Sequence, residues 1–183
     1  MKFYLRTGWG ESDSCIGGDV MRILHGLCQG NGAAPAGWLA LSSFLVTIYK
    51  NLGYGTKLES PITKVWLDVM GVLYVDDTDL YIMDECIRSE YDLWQETQGA
   101  ITSWGKLLLA TGGALKPEKC FYYMVDYEWQ QDGSWEYSKL VDTLPPITVP
   151  LADGTEAAID HLPVDEARKT LGIWTNPAGT TSS

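Results

Sequence analysis

Residues 71–85 read GVLYVDDTDLYIMDE: a run of strand-forming residues, two adjacent aspartates, then apolar residues again. Short apolar runs rich in β-branched and aromatic residues favour strand over helix. WLDVMGVLYV (66–75) and TDLYIM (78–83) are therefore expected to be two strands joined at the aspartates. That places Asp76 and Asp77 together at a hairpin tip. Two like charges ~4 Å apart, at an effective dielectric near ~20, cost about 4 kcal/mol, so the pair needs a reason. A merely polar turn is one reading, since Asp is common in turns; the preferred tight turn, however, carries Gly or Asn at its second position, and here Thr78 follows the pair. A calcium loop opening at Asp77 would need an oxygen ligand at 81, Gly at 82 and Glu at 88, where this chain has Tyr81, Ile82 and Arg88. The remaining reading is a divalent-cation site in which carboxylates share the metal with a substrate phosphate. Two such ions, ~3.5–4 Å apart, stabilise the attacking and leaving oxygens of an in-line displacement.

The 183 residues suit one domain, or a piece of something larger, with 45% apolar and 20% charged side chains. Eight Trp and ten Tyr point to a folded chain rather than a disordered one. The net charge of −11 argues against a freestanding nucleic-acid binder, which is normally basic. The acid is uneven: residues 1–60 carry +1, residues 61–130 carry −7 and the remainder −5. The excess thus begins around the aspartate pair. Cys15, Cys28, Cys86 and Cys120 are scattered without a C-x-x-C, and His25 with Cys28 lacks a second ligand pair. A reducing compartment follows, and no secretory leader is expected. The location is read as intracellular, cytoplasmic or nuclear. AGWLALSSFLVTIY (36–49) is 14 residues long, short for a bilayer and suited to a buried helix, so no membrane association is expected.

FYLRT (3–7) reads as a short strand and GWGESDSCIGGD as a Gly-rich polar loop that leaves room for strand at its edges. HGLCQGNGAAP (25–35) suits neither helix nor strand. From Ala36, Trp38, Leu41, Leu45, Ile48 and Leu52 fall at helical spacing. A second amphipathic helix is expected over 87–110, with Ile87, Tyr91, Trp94, Ile101, Trp104 and Leu108 on one core face, ended by Gly112-Gly113. Hairpins are expected around Asp132-Gly133 and Asp153-Gly154, with a last strand at TLGIWT. The order gives an α+β class, helices packed on one face of an antiparallel sheet.

LYVDDTDL (73–80) resembles the Tyr-x-Asp-Asp motif of reverse transcriptases, and QGNGAAP (29–35) has the Gln-Gly-x-x-x-x-Pro spacing of that family's preceding motif. GGALKPEKC (112–120) resembles its Gly-x-x-Leu-x-x-x-Lys segment, and TLGIW (170–174) its Leu-Gly hairpin. The four occur in the family's order, from about Gly26 to Trp174. The Asn-Gly-Ala-Ala-Pro variant is similar to retrotransposon-type enzymes. The resemblance implies a right-hand polymerase palm and an RNA-directed DNA polymerase, a nucleotidyltransferase using Mg²⁺ or Mn²⁺. It implies Asp76 and Asp77 as metal ligands and Tyr74 and Val75 against the primer terminus and duplex. It further implies Gln29 and Gly30 along the nascent base pair and template, Lys119 on the pyrophosphate leaving group, and Leu171 and Gly172 in a primer-gripping hairpin. Partners would be an RNA or DNA template with a DNA primer, and deoxynucleoside triphosphates. Asp79 matches no metal position of the family; it is expected to face solvent or pair with a lysine.

The family's third aspartate lies on a strand upstream of the Gln-Gly loop. Only 28 residues precede Gln29 here, with Asp13 and Asp19 in an apparent loop, and neither is assigned. The expectation is a partial palm over residues 1–175 with a tail at 176–183, inactive alone and partnered by fingers and thumb segments of a longer polyprotein. Such a palm would be acidic, because its neighbours would carry the phosphate contacts. The alternatives are a non-catalytic palm-fold remnant serving as a structural or protein-binding module, and an RNA-dependent RNA polymerase, which Val75 disfavours because that family places Gly before its aspartates.

Overall fold

The structure, a computed structural model, describes residues 2–8, 10–17, 34–74, 77–83, 89–170 and 173–179. Its elements run β1 (Lys2–Thr7), β2 (Gly10–Gly17), α1 (Ala34–Asn51), β3 (Thr56–Glu59), β4 (Trp66–Val69), β5 (Gly71–Tyr74), β6 (Asp77–Leu80) and α2 (Glu90–Ala110). After α2 come β7 (Phe121–Tyr122), β8 (Tyr127–Trp129), β9 (Trp135–Tyr137), β10 (Thr148–Pro150), β11 (Glu156–Ala158), β12 (Asp160–His161), β13 (Arg168–Thr170) and β14 (Ile173–Thr175). Two 3₁₀ turns cover Pro117–Lys119 and Leu140–Thr143. The α+β class holds, but the strands do not join one sheet. The described residues form seven two-stranded ribbons, six antiparallel and one, β7 with β12, parallel.

Helix α2 has a core on each side. Leu45 and Tyr49 of α1, Met70, Ala100 and Trp104 form one buried cluster. Tyr122, Met124, Ile147, Val149 and Ile159 form the other, with Leu93, Trp94 and Ile101 of α2 packed against it. Leu115 touches both. The single apolar stripe expected on 87–110 is thus two stripes; Tyr91 is exposed, stacked on Trp94 at 5.7 Å, and Ile87 lies outside the described residues. α2 also grips a strand by polar means. Thr148 donates its N–H to Gln98 Oε1 at 2.9 Å, and Gln98 Nε2 donates to Thr148 O at 2.9 Å, so the amide pairs with β10 as a neighbouring strand would.

The helix expected over 87–110 opens at Glu90 and ends at the expected Gly-Gly pair. Ser89 caps α2 by accepting from the Asp92 N–H at 3.1 Å. At the other end Gly112 N–H donates to Leu109 O and Gly113 N–H to Leu108 O, the Schellman pattern that a Gly-Gly pair permits. α1 buries Ser42, Leu45 and Tyr49, whereas Leu41, Ile48 and Leu52 of its expected stripe are exposed. The buried face is rotated toward Tyr49, whose ring meets Trp104 edge-on at 5.4 Å and Tyr54 at 5.1 Å. Aromatic contacts of that kind add to area burial and select the face.

Two strand expectations change. GESDSCIG, read as loop, is β2, paired antiparallel with β1. Residues 66–75 are not one strand: they break at Met70, β4 pairing with β3 and β5 with β6. Met70 is buried between them. The turns at Asp132-Gly133 and Asp153-Gly154 join β8 to β9 and β10 to β11 as expected. Of the expected tail 176–183, Asn176 Nδ2 donates to Asp165 O at 2.8 Å and Ala178 N–H to Val164 O at 3.0 Å, while 180–183 lie outside the described residues.

Candidate metal centre

The site is built on the β5–β6 hairpin. Gly71 lies opposite Leu80, Val72 opposite Asp79, Leu73 opposite Thr78, and Tyr74 opposite Asp77. Side chains alternate along each strand, so Leu73, Thr78 and Leu80 form a half-buried face while Val72, Tyr74, Asp77 and Asp79 form an exposed one. Leu73 and Leu80, with Ile82 beyond them, pack on the Leu45–Tyr49–Met70–Trp104 cluster. The inner face anchors the hairpin to both helices; the outer face carries the acid.

The expected hairpin is there, but shifted by one residue. Asp77 is not at the turn between the strands: it is the first residue of β6, paired with Tyr74 at the end of β5. Val75 and Asp76 lie between them, outside the described residues.

Electrostatics on this face are those of unshared negative charge. Asp77 and Asp79 are two residues apart on one strand and so share a face. Partial burial, and then the charge of Asp77, hold the Asp79 carboxyl above the ordinary aspartate range. Among the described residues neither carboxylate has a Lys, Arg or His nitrogen within 4.0 Å. Asp79 is exposed as expected, without the lysine partner that was the other possibility. Hard carboxylate oxygens with no cation beside them suit Mg²⁺ or Mn²⁺ chemically.

Tyr74 is 60% exposed across the ladder from Asp77, presenting its ring on the acidic face. Lys119 ends the Pro117–Lys119 turn, exposed, its N–H donating to Lys116 O at 2.9 Å. Its ammonium lies near Glu118, whose carboxyl is held low by a backbone hydrogen bond first and by Lys116 and Lys119 after it. Lys119 makes no ion pair with Asp77 or Asp79. β13 and β14 pair Thr170 with Ile173, flanking Leu171 and Gly172, which lie outside the described residues, as do Gln29 and Gly30. Asp13 lies in β2, exposed.

Of the expected site residues, the structure therefore brings Tyr74 and Asp77 together. It adds Val72 and Asp79 to their face, a grouping that the period-two alternation of VLY and DTD encodes once the register is known. Among the described residues no three His, Cys, Asp or Glu side chains are grouped closely enough to hold a metal, and Asp76 is not among those residues. No described helix is long and apolar enough to cross a membrane. Compared with models of protein families, with curated proteins and with solved structures, the chain gives no match.

Proposed function

We propose that the chain is a palm segment of a retrotransposon-type RNA-directed DNA polymerase, acting in template-directed deoxynucleotidyl transfer. The observation that carries this reading is the Tyr74–Asp77 pair at the turn end of a two-stranded hairpin whose inner face packs on α1 and α2. Of the Tyr-x-Asp-Asp tetrad, Tyr74 ends β5 and Asp77 opens β6, both exposed.

In this reading Asp76 and Asp77 hold Mg²⁺ or Mn²⁺. When bound, the metal supplies charge neutralisation at the attacking and leaving oxygens. Tyr74 and Val75 support the primer terminus, and Gln29 and Gly30, in the stretch that runs into α1, follow the template. Lys119 neutralises the pyrophosphate, and Leu171 and Gly172, between β13 and β14, grip the primer strand. The hairpin brings two carboxylates, so a third must come from another segment. The chain alone is then a weak metal binder without polymerase activity.

The test combines metal titration with primer extension. Mn²⁺ titrated into the chain should bind more weakly than about millimolar, the regime of a site with few charged ligands, and binding should fall further in Asp76→Asn. Primer–template, Mg²⁺ and deoxynucleotides should give no extension by the chain alone. A tight site that survives Asp76→Asn would overturn the ligand assignment. Extension abolished by Asp76→Ala would support the family and overturn the need for a further segment.

A further inference from the structure

A cleft of about 420 Å³ opens on the far core, lined by residues between Met124 and Asp165 and by none of the hairpin. One side is β9, with Trp135 and Tyr137; the other sides bring Asp142, His161 and Asp165. His161 stacks on Tyr122 at 4.9 Å and holds its Nδ1 3.7 Å from Asp142 Oδ1, which fixes the imidazole against the wall.

The wall is aromatic by register. β8 pairs with β9 so that Tyr127 opposes Tyr137 and Trp129 opposes Trp135. Directly opposed residues share a face, so four aromatic rings occupy one side of this ribbon. Tyr127, Trp135 and Tyr137 contact one another at 5.1–5.4 Å between ring centres, while Trp129 is 73% exposed. Large exposed rings on a stiff ribbon cost little entropy to order against a ligand.

We propose that this cleft takes an arginine side chain presented by a basic peptide. The charge selects a cation: among the lining residues Lys139 is the single positive side chain, beside Glu136, Asp142 and Asp165. Lys139 makes no ion pair with any of the three. The aromatic wall selects a planar, weakly hydrated cation, because guanidinium stacks on ring faces and an ammonium is held in water more strongly. The volume lies at the lower end of ligand pockets, ~300–1,000 Å³, which fits one long side chain with room for water. A guanidinium can then donate to a carboxylate with paired N–H groups. The flanking peptide lies on Tyr127 and Trp129. This inference does not depend on the polymerase reading.

The experiment titrates the full ¹⁵N-labelled chain with a blocked Gly-Arg-Gly peptide and with its citrulline counterpart, which keeps the shape and loses the charge. The indole N–H signals are followed, the Trp135 signal being assigned by Trp135→Phe. The arginine peptide should shift the Trp135 indole signal saturably and bind at least about tenfold more tightly than the citrulline peptide. The double variant Asp142→Asn with Asp165→Asn should weaken it by about tenfold or more, while Glu118→Gln, an exposed acid outside the cleft, should leave it unchanged. Raising ionic strength should weaken binding, as for any partly exposed pair. Three results overturn the proposal: no saturable shift at Trp135, equal binding of the citrulline peptide, or equal weakening by Glu118→Gln. Should the double variant fold poorly, the arginine–citrulline comparison on the unmodified chain decides alone.

Discussion

Gly71→Ala tests whether the hairpin has the register on which its site depends. Gly71 opens β5 at φ +154°, a backbone that side-chain-bearing residues rarely adopt. An added Cβ would lie 2.0 Å from Asp79 O, 3.0 Å from Asp79 C and 3.1 Å from Leu80 Cα. Carbon–oxygen contacts settle near ~3.3 Å, so β6 would have to retreat by more than ~1 Å. The obstructing atoms are backbone, so no side-chain rotation relieves the overlap. The retreat pulls apart the Gly71–Leu80 pair and strains the Tyr81 N–H to Met70 O bond of 2.9 Å. Backbone strain of about 1–3 kcal/mol and one or two net hydrogen bonds at about 0.5–1.5 kcal/mol each give a loss of about 1.5–6 kcal/mol. Urea unfolding followed by circular dichroism measures it, as a lower midpoint at unchanged slope. Gly10→Ala is the control: φ there is +140°, but a Cβ meets nothing within 4 Å among the described residues. Its cost should stop at the conformational part, about 1–3 kcal/mol. Equal losses in the two variants, or a Gly71→Ala loss below about 1 kcal/mol, would refute the close approach of the strands.

Asp79→Asn should stabilise the fold at neutral pH. The folded carboxyl titrates above its unfolded value, so its favourable contribution is present below the unfolded value and lost as pH rises through the folded one; the variant's advantage should vanish in acid. A variant less stable than the parent at neutral pH would mean that the Asp79 carboxylate makes a favourable contact. Tyr49→Phe should raise stability by about 1 kcal/mol or more, because the Tyr49 hydroxyl is buried without a hydrogen-bond partner among the described residues; a lower urea midpoint would show that the hydroxyl is satisfied. Gln98→Ala removes both amide bonds to Thr148, at 2.9 Å each, and should cost about 1–3 kcal/mol and speed hydrogen exchange at the Thr148 amide. Unchanged exchange there would disprove the strand-like clamp.

The sequence is legible where local chemistry decides alone. The Schellman end of α2 and the Asp-Gly turns depend on a few adjacent residues, and each lies where its motif stands. It is illegible where partners decide. β2 carries Glu11, Ser12, Asp13 and Ser14 and has no apolar alternation, so only its pairing with β1 makes it a strand. The break at Met70-Gly71 is invisible to β-propensity, since Met70 fits a strand and turns inward because the helices need filling there. The face of α1 shifts for the same reason: Tyr49, not Ile48, meets Trp104. At the site, the hairpin could be read to within a residue. The sharing of one face by Asp77 and Asp79 could not, because the strand is expected to open at Thr78 and only the pairing with Tyr74 brings Asp77 into β6.

That shared face makes metal binding and hairpin stability one measurement. Isolated two-stranded hairpins are marginal in water, and this one carries uncompensated acid on its outer side. Its support is the half-burial of Leu73 and Leu80, worth about 1–3 kcal/mol together. Repulsion between Asp77 and Asp79, which stand on the same outer face, works against that support. A cation that binds only the formed hairpin must then stabilise it by mass action. With a dissociation constant weaker than about 1 mM, ~10 mM Mg²⁺ adds at most about 1.4 kcal/mol. Amide exchange within β5 and β6 should slow by up to about tenfold under those conditions, and exchange in β10 and β11 should slow much less. Asp76→Asn should remove the difference between the two regions. Slowing that is uniform across the chain, or equally large in Asp76→Asn, would place the ion elsewhere and remove the hairpin from the metal chemistry.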